Sequence, residues 1–215
     1  MSCDLSALGV DVAPAQGGGY ELRSRDRDWL LAVFRGFSLR AEAHGAHLRV
    51  ATNDAALIER VAGAALAPEA LIFDLDGVLA DIGARARIAE VSDLAALAGS
   101  YPIGVVTTCP RRLAESVLER HGFSPYIRVV VGSEDGPCKP DPRPVRFALE
   151  QLGVERAWML GDNPSDVVAA RGAQVVPLAV SPSGYGAAVH RERLLGAGAL
   201  RFVDGVAGLR ELLSR

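Results

Sequence analysis

From Leu71 onward, short apolar runs alternate with amphipathic stretches, and this alternation constrains the fold more than any other feature of the chain. An apolar run of four or five residues between turn formers is too short for a buried helix and suits a strand covered on both faces. The intervening stretches are long enough to cross back over a sheet as helices. Strands are predicted at residues 71–74, 103–107, 127–131, 158–161, 175–178 and 201–203. Pro110 and Pro164 stand where first helical turns begin, and Gly122, Gly153 and Gly172 follow helical stretches, as the preference for proline at helix starts and glycine past helix ends requires. The expectation is an α/β fold: a doubly wound, Rossmann-like parallel sheet of about five to six strands, binding ligands beyond the carboxyl ends of its strands.

Residues 1–67 read differently. Gly17 to Gly19 resembles a linker, residues 26–37 suit a helix, and residues 37–51 alternate like a hairpin about Gly45. A helix over 53–66, capped by Thr52 or Asn53, follows. The expected organisation is a small α+β unit over 1–67 and a second domain over 68–215. There is no internal repeat.

The second domain carries its acids at strand ends. The apolar run Leu71-Ile72-Phe73 meets Asp74, and Asp76 follows two residues later with Gly77 behind it. Carboxylates at i and i+2 of a strand end share one mouth, and glycine permits the sharp exit. Alone, Asp-x-Asp-Gly arises by chance in roughly one chain in ten of such composition. A second acidic motif, Gly161-Asp162-Asn163-Pro164-Ser165-Asp166, follows another apolar run and opens a helix. Between the two lie Thr107 and Thr108 at a third strand end, and Lys139 in Cys138-Lys139-Pro140. Lys139 is the single lysine against 22 arginines. A compact ammonium and a wide planar guanidinium are not interchangeable beside a small anion. The joint occurrence of all four elements, in order, makes coincidence a poor explanation.

These motifs, over roughly residues 71–180, resemble the haloacid dehalogenase superfamily of phosphohydrolases. The resemblance implies a Mg²⁺-dependent phosphatase acting on a small phosphorylated metabolite. Asp74 would be the nucleophile and Asp76 the general acid and base. Thr107, with Thr108, would hold the phosphoryl oxygens and Lys139 would neutralise charge. Asp74, Asp162 and the backbone carbonyl of Asp76 would ligate Mg²⁺, and Asp166 would orient metal waters or Lys139. An acid at position 76 favours phosphate chemistry over dehalogenation. A phosphotransferase or phosphomutase using the same aspartate, or a non-catalytic module keeping the fold for binding, are the alternatives.

The chain departs from the family in its caps. Twenty-four residues separate Gly77 from Pro102, room for a flap and one helix over about 84–97, and 31 separate Thr107 from Lys139. Neither interval holds an inserted domain, so the N-terminal unit, a partner subunit or the substrate itself is expected to cover the site. Arg111 and Arg112 place cations in a first helical turn, against the helix dipole, and are expected to meet an anionic substrate. The stretch from Ala46 to Asp54 and the helix after it resemble the end of the small domain of histidinol-phosphate-type aminotransferases. No pyridoxal-binding domain accompanies it, so packing or homodimer formation is the expected use.

Composition sets the remaining limits. A net charge of −3, with no basic stretch beyond Arg23, Arg25 and Arg27, gives no footprint for nucleic acid or an anionic membrane. No apolar run approaches the roughly 18 residues needed to span a bilayer, and Met1 to Asp4 begin no leader, so a cytoplasmic location is expected. Cys3, Cys109 and Cys138 lack metal-type spacing and are expected to be plain thiols, the latter two buried. Histidines 44, 47, 121 and 190 are expected at the surface or in loops.

Overall fold

In the computed structural model, residues 4–214 are described; Cys3 and the start of the chain lie outside them. The chain divides into two compact units that meet between Pro68 and Glu69.

The first unit is an antiparallel sheet with two helices. Its elements are β1 (Asp11–Pro14), β2 (Tyr20–Arg23), α1 (Arg27–Gly36), β3 (Ala41–His44), β4 (His47–Val50) and α2 (Ala55–Leu66), with spatial strand order β1-β2-β4-β3. Leu22, Leu30, Val33, Phe34, Leu48, Val50 and Ile58 are buried in its core. Gly17 to Gly19 are the turn between β1 and β2 rather than a linker: all three take positive φ, which closes the hairpin. The cap of α2 is Asp54, whose carboxylate accepts from the Leu57 N–H at 3.0 Å, so neither Thr52 nor Asn53 fills that position.

The second unit runs β5 (Ala70–Phe73), β6 (Ala80–Asp81), β7 (Ala86–Arg87), α3 (Val91–Ala98), β8 (Ile103–Val106), α4 (Arg111–Arg120), a 3-10 turn (Ser124–Tyr126), β9 (Val129–Val131), α5 (Arg143–Leu152), β10 (Ala157–Gly161), α6 (Pro164–Gly172), β11 (Val176–Val180), α7 (Ala187–Ala197), β12 (Arg201–Val203) and α8 (Gly205–Leu213). Six of these strands form one sheet in the order β9-β8-β5-β10-β11-β12, every pairing parallel. Numbered by appearance, that order is 3-2-1-4-5-6, the doubly wound arrangement. All residues of β5, β8 and β10 are buried, as helices on both faces demand. Ile72, Val106, Val131, Val145, Ala148 and Met159 form one core cluster under α5. Each large apolar side chain there stabilises the fold by roughly 1.5–3 kcal/mol.

The stretch expected as a helix over 84–97 is helical only from Val91. Before it, Ala80–Asp81 pairs with Ala86–Arg87 as a small hairpin. Asp81 accepts the Ala84 N–H at 2.7 Å and Arg85 takes a φ of 55°, so the chain turns where a helix would have continued. No described helix is long and apolar enough to cross a membrane.

Candidate active site

Strand order reverses between β5 and β10, so their following connections diverge to opposite sides and leave a crevice at the carboxyl edge. Asp74 is the first residue past β5, and its N–H continues the ladder by donating to Leu160 O at 3.0 Å. Asp162 is the first residue past β10. The sheet thus presents two carboxylates at its switch point.

Lys139 joins them from the loop before α5, across a cis Lys139–Pro140 bond. Its ammonium is buried and has three acceptors: Asp74 Oδ1 at 2.7 Å, Asp166 Oδ1 at 2.7 Å and the Val106 carbonyl at 2.8 Å. It donates a hydrogen bond to the Val106 carbonyl and is ion-paired with the two carboxylates. Asp166 is held in turn by the first turn of α6, where its Oδ2 accepts the Asn163 N–H at 3.0 Å. Asp166 Oδ2 is thus hydrogen-bonded, while the buried Oδ1 has the Lys139 ion pair and no hydrogen bond. Asp74 Oδ1 also accepts the Leu75 N–H at 2.7 Å, which leaves Oδ2 outside these bonds.

Ligand oxygens of Asp74, Asp162 and Asp166 lie within 4.8 Å of one another. Three carboxylates thus face one ammonium. Burial, and then the neighbouring Asp166, push the Asp74 carboxyl up to about 7 against the pull of Lys139. Burial and Asp166 likewise raise Asp162. Burial lowers Lys139, but Asp74 and Asp166 together outweigh it and the net direction is up. The asymmetry has a simple cause: Lys139 has two counter-charges, whereas each carboxylate shares one. The excess of buried negative charge is what a hard divalent cation offsets. Gly77, at φ 83°, keeps Asp162 in this cluster, because a Cβ there would sit 2.3 Å from Asp162 Oδ2. The all-carboxylate donor set fits a hard cation such as Mg²⁺.

Asp76 is exposed at the flap, its Oδ1 accepting the Ile82 N–H at 2.8 Å. Thr107 is buried past β8, its N–H donating to Val131 O and its hydroxyl accepting the Cys109 N–H at 3.2 Å. Thr108 is exposed. Arg111 is paired with Asp135, and the Glu134 carboxylate accepts the Arg111 N–H at 2.9 and 3.0 Å. These two acids supply at the start of α4 the negative charge that the helix dipole favours. Arg112 is exposed. Cys109 is half-buried and Cys138 exposed, contrary to the expectation that both are buried: Cys138 opens the turn closed by the Asp141 N–H on its carbonyl, which carries its side chain to the surface while Lys139 is buried. Two further residues shape the site. Gly161 lies so close to Asp166 that a Cβ would fall 2.3 Å from the Asp166 Cβ. His190, on α7, is half-buried rather than a surface group, with Nε2 2.7 Å from the Asp162 carbonyl. No sequence spacing marks that contact, since 27 residues, with a helix and a strand among them, separate the two.

Residues 88–180 match the family model described as haloacid dehalogenase-like hydrolase. Over that stretch the chain is similar to a haloacid dehalogenase-like hydrolase. The match begins after Asp74 and Asp76, whose placement rests on the geometry above. A phosphoglycolate phosphatase of Rhodospirillum rubrum is 40% identical over 114 residues, which cover 52% of this chain and 45% of that protein. An imidazoleglycerol-phosphate dehydratase of Phytophthora nicotianae is 33% identical over 154 residues, covering 63% of this chain and 34% of that one. The chain spans less than half the length of either. Among solved structures, a haloacid dehalogenase-like family hydrolase of Streptococcus pneumoniae is similar at a TM-score of 0.56 and 16% identity, covering 68% of this chain and 97% of that one. That likeness is one of fold. Both intervals where a cap could be inserted hold only the small hairpin with α3, and α4 with β9, so the domain lacks a full cap.

Proposed function

We propose that residues 69–215 form a Mg²⁺-dependent phosphomonoesterase that works through an aspartyl phosphate on Asp74. The observation that carries this reading is the convergence of Asp74, Lys139 and Asp166 at 2.7 Å, with Asp162 in the same cluster, at the switch point of the sheet.

Mg²⁺, held by Asp74, Asp162 and the backbone carbonyl of Asp76, would screen the phosphate dianion and the attacking carboxylate from each other. Asp74 Oδ2, the oxygen outside the Lys139 and Leu75 bonds, attacks phosphorus as the ester P–O bond breaks, and Asp76 gives its proton to the leaving alcohol. Asp76 then takes a proton from water, whose oxygen attacks phosphorus, and Asp74 leaves as a carboxylate with inorganic phosphate as product. The flap is apt for this role: Ile82 N–H holds Asp76 at the solvent side, where alcohol departs and water enters. Thr107 offers its hydroxyl to a phosphoryl oxygen. Lys139 reaches the phosphoryl group by exchanging one of its three acceptors, and Asp166 keeps it in place meanwhile. The transition state is loose, so charge and position contribute most of the rate.

The test is hydrolysis of p-nitrophenyl phosphate by the purified chain with Mg²⁺ and with EDTA, together with acid-quench trapping of phosphoenzyme. Turnover that survives both EDTA and Asp74→Asn would refute the reading.

Two substrate readings have support. The relatives named phosphoglycolate phosphatase favour a small phosphorylated acid. The relative named for imidazoleglycerol phosphate aligns with a larger share of this chain, and what it contributes is a ligand, a phosphomonoester bearing an imidazole. Comparing kcat/KM on 2-phosphoglycolate and imidazoleglycerol phosphate separates them.

A further inference from the structure

The segment between β11 and α7 begins and ends beside Asp162. β11 is parallel to β10 with Gly161 opposite Ala179, and Asp162 and Val180 are the next residues of the two strands' chains. Ser181 follows at once, pinned by its N–H to Val203 O at 2.8 Å. Nine residues on, His190 Nε2 lies 2.7 Å from the Asp162 carbonyl and fixes the first turns of α7 to the same point. What lies between is an excursion over the carboxyl edge of the sheet, and Tyr185 is near its middle. Four residues reach at most on the order of 13 Å, so Tyr185 lies no farther than that from Ser181, which follows β11 at the edge of the sheet where the acid cluster sits.

Tyr185 has no structural duty that accounts for it. Its side chain is fully exposed. Gly184 and Gly186 on either side take φ of 75° and 84°, and a Cβ at either would meet nothing within 4 Å. The ring is therefore carried on two permissive residues, free to choose its face, while the ends of the segment are tied down. An aromatic ring offers large contact area for little lost side-chain entropy, since only two torsions must be fixed. Without a full cap, the organic part of an ester held at Asp74 would otherwise lie in water.

We propose that Tyr185 is the specificity residue of this site, its ring packing on the organic part of the substrate, and that the preferred esters are phosphomonoesters of planar, ring-bearing alcohols. This rests on the phosphomonoesterase reading above.

The experiment compares the parent chain with Tyr185→Ala and Tyr185→Phe on phenyl phosphate, imidazoleglycerol phosphate and 2-phosphoglycolate, with inorganic phosphate as competitive inhibitor. The expected result is a KM for the two ring-bearing esters raised about fivefold in Tyr185→Ala, with kcat unchanged and near-complete recovery in Tyr185→Phe. KM for 2-phosphoglycolate and the inhibition constant of phosphate stay at the parental values. Equal KM in parent and Tyr185→Ala on every ester overturns the proposal and leaves the phosphatase reading intact. So does an equal rise on all three esters and phosphate. A parent chain that hydrolyses none of them overturns the phosphatase reading, and this inference with it.

Discussion

The buried Lys139 ammonium lies 2.7–2.8 Å from oxygens on three separate chain segments. A guanidinium is planar and wider, and its fork cannot meet three acceptors that converge on one nitrogen. Lys139→Arg is therefore expected to lower kcat/KM at least about 100-fold, and to destabilise the fold by roughly 3–5 kcal/mol, as when one partner of a buried pair is removed. Steady-state kinetics and urea denaturation measure both. Asp74 behaves in the opposite way. In the unfolded chain its carboxyl ionises near 3.8, whereas in the metal-free fold burial and Asp166 keep it protonated up to about 7. Between those values the fold holds a proton that the unfolded chain has released, so this group's contribution falls as pH rises and is least favourable above about 7. Asp74→Asn removes the titration. With EDTA present, the variant should melt at a higher temperature than the parent at pH 8, by the equivalent of about 1–3 kcal/mol, and the advantage should vanish near pH 4. Equal melting temperatures at pH 8 would show that the cluster is not electrostatically strained. The same variant should have no measurable phosphatase activity. The convergence of these residues could be foreseen because ionisable side chains that follow apolar runs leave a mark in sequence. The backbone carbonyl held by His190 leaves none.

Among the elements, those of the parallel sheet were the easiest to foresee. β5, β8 and β10 are buried on both faces, so nearly every residue is apolar and the run ends abruptly at a polar group. The flap was harder: β6 and β7 have two residues each, too few for any period, and the amphipathic signal of α3 blurs backwards into them. The run Gly17 to Gly19 of the first unit misled for a related reason, since a composition typical of linkers is also what a hairpin with three positive φ values requires. Gly77 shows how an element and the site depend on each other. Its positive φ turns the chain from β5 into the flap, and its missing side chain admits Asp162. Gly77→Ala is expected to cost about 1–2 kcal/mol in backbone strain and to displace Asp162, weakening Mg²⁺ binding at least tenfold. Calorimetric titration with Mg²⁺ reads this, with Gly83→Ala as the control: it lies in the same flap with a Cβ no nearer than 3.4 Å to Asp81 Oδ1 and no positive φ. Equal affinity in the two variants would remove Gly77 from the site.

At the scale of the whole molecule, every residue assigned to the chemistry lies in the second unit, and that unit's central strands are buried among its own helices. The first unit likewise buries Leu30, Phe34, Leu48 and Ile58 in a core of its own. A chain beginning at Glu69 is therefore expected to fold alone, bind Mg²⁺ and hydrolyse phosphate esters with the kcat of the full chain, which would also mean that the first unit is not what covers the site. The cut must fall before Glu69. Its carboxylate accepts the N–H groups of Glu155 and Arg156 at 3.1 and 3.0 Å and pairs with the Arg156 guanidinium at 2.7 Å, tying the entry of β5 to that of β10 at the amino edge of the sheet. Starting at Ala70 instead leaves those two N–H groups and a largely buried guanidinium without that partner, at a cost of about 1–3 kcal/mol. Circular dichroism melts of the two fragments, with Mg²⁺-dependent turnover measured on each, test both statements. If the longer fragment aggregates or lacks a cooperative transition, its core depends on residues before Pro68, and the two units are not independent in folding.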